Sequence, residues 1–286
     1  MDPDLLAALE RRQPRSILLL GASDTGKTTL IEQLLTEWNA ADSIAVVDCD
    51  VGQSHLGPPT TIGWGLVEPP FEGWHRAPVR GLAFTGVVSP EGNVETFLQA
   101  TTRMVQAARQ AAPRLLVDTT GLVSGELGKT LKTRKVKAIK PDLILAIQRN
   151  TELEELLAAI AHVPIERLRA SPACGRRTLA ERAAYRDKQF ARYFANSVKQ
   201  RLPLDRLRLI GVGPDWSTGH VARSSAALLD RVVGLQHAAG EDLALGLIRE
   251  LDAERNSVAV FTPLRDVSGV TTLAVGSVRW PTEVAT

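Results

Sequence analysis

The stretch Ser16-Ile-Leu-Leu-Leu-Gly21-Ala-Ser-Asp-Thr-Gly26-Lys27-Thr28-Thr29-Leu30-Ile31 decides the fold. Its apolar run Ile17 to Leu20 predicts a buried parallel strand, and helix-forming residues resume after Lys27. Between them lies G-x-x-x-x-G-K-T, the phosphate-loop spacing in its strand–loop–helix setting. Gly21 and Gly26 permit backbone angles that turn successive N–H groups inward around an anion. Ala22, Ser23, Asp24 and Thr25 complete that cradle, and the helix opened by Thr28 and Thr29 points its positive end at the same charge. Lys27 would reach the β- and γ-phosphates, and the Thr28 hydroxyl would ligate Mg²⁺. The stretch reads as a nucleoside triphosphate site, for ATP or GTP.

A second buried strand, Ile44 to Asp48, runs into Asp48-Cys49-Asp50-Val51-Gly52-Gln53-Ser54. Carboxylates at the carboxyl end of a parallel strand sit where ligands bind in open α/β sheets. Asp48 and Asp50 are therefore metal-side candidates, and Asp50, just past the strand, is the candidate for chemistry. A capping or turn role is the alternative for one of them. Leu115-Leu116-Val117-Asp118 repeats the pattern and adds Asp118 to the metal set.

The intervening residues Leu56 to Pro78, rich in Pro, Gly and Trp, read as a long ordered loop. Trp64 and Trp74 there either stack on a base or pack internally. Strands are expected at Gly81–Val88, Leu143–Ile147 and Ile165–Ala170, with helices near 94–112 and Glu152–Ala161. This alternation specifies an α/β fold, a P-loop-type doubly wound and mostly parallel sheet, over residues 1–202. Residues 203–286 carry short apolar runs (Leu207–Val212, Leu243–Ile248, Ser257–Thr262, Thr271–Val278), as in a small mainly-β domain.

With 44% hydrophobic residues in 286, the chain has material for a real core, which argues against global disorder. No apolar run approaches the ~18 residues a membrane helix needs, and the N-terminus lacks a signal pattern. Cys49 and Cys174 form neither a CxxC pair nor a zinc spacing. These features point to a soluble cytoplasmic protein with reduced thiols and no membrane partner.

The net charge of +2 is unevenly distributed. Lys129 to Arg149 holds seven Lys/Arg against one Asp, and Arg176 to Arg208 holds ten against three acids. Two basic blocks in an otherwise acidic chain suggest one face that meets a polyanion, although solvated helix surface gives the same pattern. Within the second block Arg182 and Arg186 lie one helical turn apart. Beside a triphosphate, such a pair could act as a lid on charge developing during phosphoryl transfer.

Several of these segments together resemble the RNA (polynucleotide) 5′-hydroxyl kinases, whose members include the kinase subunit of the eukaryotic pre-mRNA cleavage factor and a pre-rRNA processing kinase. The resemblance rests on Gly21–Thr28, Asp48–Gln53, Gly86–Pro90, Val117–Gly125, and Arg182-x-x-x-Arg186 followed by Tyr193-Phe194. It implies that Lys27 and Thr28 hold the donor phosphates and Mg²⁺, and that Asp50 is the general base. It further implies that Thr119, Thr120 and Gly121 open a clasp for the acceptor end, Gln53 lies beside it, and Arg182 and Arg186 are lid arginines. The acceptor would be single-stranded or end-accessible RNA or DNA with a 5′-hydroxyl. The clasp's fourth position is Leu122, where the family pattern T-x-G-W has tryptophan. The N-terminal β-domain of the eukaryotic members has no counterpart in the roughly 15 residues before the first strand, as in a compact, prokaryotic-type member. A nucleotide-dependent switch that hydrolyses ATP or GTP is the competing reading; the absence of an N-K-x-D signature weakens its Ras-like form.

Overall fold

The computed structural model describes residues 2–38, 42–212 and 225–281. In chain order the first part contains α1 (Pro3–Arg12), β1 (Ser16–Gly21), α2 (Lys27–Glu37), β2 (Ile44–Cys49), β3 (Thr61–Val67), β4 (Val79–Phe84) and α3 (Val94–Ala111). It continues with β5 (Arg114–Thr119), α4 (Gly125–Ile139), β6 (Leu143–Gln148), α5 (Glu154–Ala159), β7 (Ile165–Arg169) and α6 (Leu179–Phe194). The second part holds β8 (Val198–Pro203), β9 (Arg208–Gly211), α7 (Ser225–Leu228), β10 (Arg231–Gln236), β11 (Asp242–Asp252), β12 (Ser257–Thr262) and β13 (Thr272–Arg279).

The first sheet runs β4-β3-β2-β5-β1-β6-β7. The five strands from β2 to β7 in that order are parallel, and β3 and β4 add antiparallel pairs at one edge. Burial on both faces explains the unbroken apolar runs. In β1, Leu18 and Leu20 meet Phe97, Leu131 and Leu156 of α3, α4 and α5. Ile17 and Leu19 face the other way, onto Leu5 and Leu9 of α1 and Leu30 and Leu34 of α2.

β3 corrects one expectation. It lies inside Leu56–Pro78, which reads as loop because Gly63 and Gly65 interrupt the apolar alternation. The register demands a side chain no larger: a Cβ on Gly63 would come within 2.1 Å of the Leu56 carbonyl oxygen.

The second sheet runs β8-β12-β11-β10-β13-β9 and has its own core around Val233, Val258 and Val275. It begins at Val198, so the 202/203 division expected from sequence falls inside β8. α6 ties the two sheets together. Its Phe190 and Phe194 pack with Trp280 of the second sheet and Phe84 of the first, and Tyr193 Oη accepts from the Leu245 amide at 2.8 Å. The far end of α6 therefore stands on the second sheet while its start lies near β1.

Candidate active site

The phosphate loop sits where β1 ends. Gly26 takes φ +91°, a left-handed conformation that places α2's first amides at the loop's mouth. Lys27 is buried at 7% exposure and folds back, its Nζ donating to the carbonyls of Gly21 (3.1 Å) and Ala22 (2.8 Å). Thr28 Oγ1 donates to Asp118 Oδ2 at 2.9 Å, the pairing expected of a hydroxyl and a carboxylate that share a cation.

The three strand-end acids have separate environments. Asp48 lies at the foot of the following loop. Its Oδ2 accepts from the amides of His55 and Leu56 and the Ser54 hydroxyl, and its Oδ1 accepts from the Asp50 amide. Burial, and then the neighbouring Asp118, push its carboxyl up to about 6. Asp118 is likewise raised by burial, with Lys27 opposing. Asp50 is half-buried and lines the cavity. Its Oδ1 accepts from the amides of Gly52 and Gln53, and its Oδ2 has no hydrogen-bond partner among the described residues. The result is a carboxylate oriented by the loop through one oxygen, with the other unengaged among the described residues.

A cavity of about 420 Å³ opens over the loop, lined by Lys27, Thr28, Asp50, Gln53, Arg177 and Arg182 among others. α6 reaches it through a capping box, in which Thr178 Oγ1 accepts from the Glu181 amide and Glu181 Oε2 accepts from the Thr178 amide. Arg182 then crosses to the loop and pairs with Asp24 at 2.5 Å. Gln53 joins the same junction by donating to the Arg182 carbonyl at 3.2 Å. Arg186 is half-buried one turn further on, does not line this cavity, and has no ion-pair partner among the described residues.

The clasp residues lie deeper than their expected role suggests. Thr119 Oγ1 donates to the Leu19 carbonyl, and Thr120 accepts from the buried Lys132 through both its carbonyl and its hydroxyl. Gly121 abuts the donor loop so closely that a Cβ would come within 2.4 Å of the Ser23 amide nitrogen. Leu122 packs against the core of the α3–α5 face. Trp64 packs into that same core, whereas Trp74 donates from Nε1 to Glu32 at 2.6 Å and lies 5.7 Å from the His55 ring.

Sequence reasoning missed Arg177, Arg149, His55 and Cys174. Arg177 borders the cavity and lies beneath the capping box, whose T-x-x-E spacing at 178–181 could have placed it at a helix start. Arg149 donates to the carbonyls of Asp24 (2.7 Å) and Cys174 (2.9 Å), bracing the loop from the end of β6. His55 follows the acidic segment directly, and Cys174 lies eight residues before Arg182 with no motif of its own.

A family model, mRNA cleavage and polyadenylation factor CLP1 P-loop, matches residues 21–196. The chain belongs to this family. It is 26% identical to a polyribonucleotide 5′-hydroxyl-kinase of Pyrococcus abyssi, over 96% of this chain and 92% of that one. A Methanocaldococcus jannaschii protein of the same name is 33% identical over 66% of this chain and 52% of its own. Among solved structures, the Clp1p–Pcf11p complex superposes with TM-score 0.78 at 15% identity, covering 96% of this chain and 78% of that one, and shows the shared fold.

Proposed function

We propose that the protein is a polynucleotide 5′-hydroxyl kinase that transfers the γ-phosphate of a nucleoside triphosphate to the 5′-end of RNA. One observation carries the reading: Asp50, with one carboxylate oxygen held by two amides and the other unengaged, shares a cavity with Lys27 and Arg182. The family and the names of its archaeal relatives support the same activity.

The donor's phosphates would rest on the amides of residues 21–29, with Lys27 released from its loop carbonyls to the β- and γ-phosphates. Asp50 accepts the proton of the acceptor's 5′-hydroxyl. The hydroxyl oxygen bonds to the γ-phosphorus as the bridge to the β-phosphate breaks, leaving a nucleoside diphosphate and a 5′-phosphorylated end. Arg182, exchanging Asp24 for the transferring group, stabilises charge spread over its oxygens. Arg186, one turn further along the same helix, does not line this cavity and takes no step in the transfer.

The residues fit Mg²⁺. Thr28 and Asp118 present hard oxygen donors in contact, with Asp50 as a further carboxylate, and among the described residues no cluster of three His, Cys, Asp or Glu forms a closed cage. Such a set suits an ion held by one or two protein oxygens together with phosphates and water. Bound there, Mg²⁺ supplies neutralisation of the donor's phosphate charge. Asp48 serves a different end, holding the 50–56 loop to β2. The names of the archaeal relatives support RNA as the acceptor, and the P-loop family supports a nucleoside triphosphate, ATP or GTP, as the donor.

Incubation of a 5′-hydroxyl oligoribonucleotide with γ-labelled ATP or GTP and Mg²⁺ tests the proposal. Label is expected on the oligonucleotide; phosphate release independent of it would establish a hydrolytic switch instead. Asp50→Asn should keep nucleotide affinity while transfer falls by about 10²-fold or more. Wild-type transfer in that variant refutes Asp50 as base.

A further inference from the structure

His55 lies on the same loop as Asp50 and lines the same cavity. Its backbone and the faces of its ring are held from several sides. The amide donates to Asp48 Oδ2, and the ring lies 5.7 Å from those of Trp74 and Tyr185, tilted by 48° and 46°. Those two rings are themselves fixed. Trp74 Nε1 donates to Glu32 Oε1 at 2.6 Å, and Tyr185 Oη donates to the Ser54 carbonyl at 2.9 Å and accepts from Gln189 Nε2 at 2.8 Å. Only the imidazole nitrogens are left over: neither has a hydrogen-bond partner among the described residues.

The other polar groups of this wall are engaged. Gln53 donates to the carbonyls of Gly52 and Arg182 and accepts from Arg177, and Arg182 pairs with Asp24. In an in-line transfer the acceptor enters opposite the leaving group, so its terminal nucleotide lies on the Asp50 side of the γ-phosphorus, away from the loop amides. Once Asp50 takes the 5′-hydroxyl, the ribose that carries it comes against the wall formed by the same loop. An imidazole offers one donor and one acceptor, which matches a hydroxyl. A phosphate oxygen suits the place less, because the carboxylates of Glu32, Asp48 and Asp50 border it and repel further negative charge.

We propose that His55 hydrogen-bonds the 2′-hydroxyl of the acceptor's terminal ribose, so that the enzyme favours a ribonucleotide at the 5′-end. The inference rests on the kinase reading and adds to it a residue that selects the acceptor's sugar. Residues 119–122 leave that task open, since Thr120 accepts from Lys132 and Leu122 packs into the core. The 2′-hydroxyl is the group that separates RNA from DNA at any one position.

Two 5′-hydroxyl oligoribonucleotides, one with a 2′-deoxy sugar at the terminal residue alone, test the assignment through kcat/KM. The wild type should favour the all-ribose acceptor by about tenfold, the worth of one well-placed hydrogen bond. His55→Phe keeps a ring between Trp74 and Tyr185 and removes both nitrogens. It should lose about tenfold on the all-ribose acceptor and nothing on the deoxy-ended one, with the donor KM unchanged; the unaltered second acceptor also certifies the fold. His55→Gln, which restores a donor and an acceptor, should keep part of the preference. Wild-type transfer without a preference, a preference intact in both variants, or an equal loss on both acceptors overturns the assignment. A wild type that phosphorylates neither oligonucleotide would instead remove the kinase reading beneath it.

Discussion

The two basic blocks look alike in sequence and end in opposite places. Lys129–Arg149 becomes α4, β6 and their connection, and its cations are mostly occupied. Lys132 and Lys135 are fully buried, Lys129 pairs with Glu155 at 2.5 Å, Arg134 pairs with Glu95, and Arg149 braces the phosphate loop. Arg176–Arg208 becomes α6 and the start of the second sheet. Lys199 and Arg201 pair there with Glu250, but Arg176, Lys188 and Arg192 stay exposed and Arg182 reaches the cavity. Most of the first block's cations are therefore engaged within the fold, and fewer of them than the charge count suggests face solvent. In the first block Lys137 and Lys140 stay exposed, whereas in the second Arg182 also reaches the cavity. Charge counts measure supply; which face of a helix packs decides availability.

The contrast is sharpest at Arg182, which should show the largest effect. Arg182→Ala should lower kcat by about 10²-fold while the donor KM rises far less, because a guanidinium stabilises charge that develops mainly in the transition state. Arg182→Lys should recover part of the loss, since an ammonium lacks the bidentate fork. Steady-state kinetics with circular dichroism as a fold check decide it. Unchanged kcat would make α6 as inert in chemistry as α4.

Within the first block, Lys132 and Lys135 differ by their acceptors. Lys132→Met strips the donor from the buried carbonyl and hydroxyl of Thr120, and should cost about 1–3 kcal/mol in denaturant unfolding. Lys135 Nζ has no hydrogen-bond partner among the described residues and lies 4.4 Å from the Phe97 ring centroid. Lys135→Met should therefore change stability by less than about 1 kcal/mol near neutral pH, the lost cation–π contact being offset by relief of a buried charge. Equal costs for the two would show that burial alone, not the bonded turn, sets their worth.

Burial also lowers both lysines from the ordinary 10.5, Lys132 well below it. A base whose folded value lies under its unfolded one binds fewer protons when folded, so stability rises with pH between the lowered value and 10.5. Lys135→Met should flatten part of that rise, as unfolding midpoints measured across the alkaline range would report. A slope unchanged by the substitution assigns the rise to other groups.

The smallest effect belongs to Arg134, 44% exposed and paired with Glu95. Arg134→Ala should leave both stability and transfer essentially unchanged, as solvent-screened pairs do. A measurable loss of acceptor affinity would restore this part of the first block to the binding face.

Much of the fold and the donor half of the site was legible because the signals are local. The G-x-x-x-x-G-K-T spacing dictates a loop geometry within eight residues, and an acid after an apolar run lies at a strand's carboxyl end in whatever sheet forms. Hence Lys27, Thr28, Asp50 and Asp118 gather around β1, β2 and β5 as read. The buried positions of α4, Gly128, Leu131, Lys132, Lys135, Val136 and Ile139, recur at helical spacing, a stripe that the charge count of the block conceals. An unpaired amine is costly to bury, and only the positions of Thr120 and the Phe97 ring show where Lys132 and Lys135 go. Tertiary structure alone decided the rest. It turned Asp48 into the anchor of its loop, brought Arg182 onto Asp24 from 158 positions away in sequence, and set Cys174 over Gly26. Each of these depends on a contact between distant segments, and sequence spacing carries no record of which surfaces close on one another.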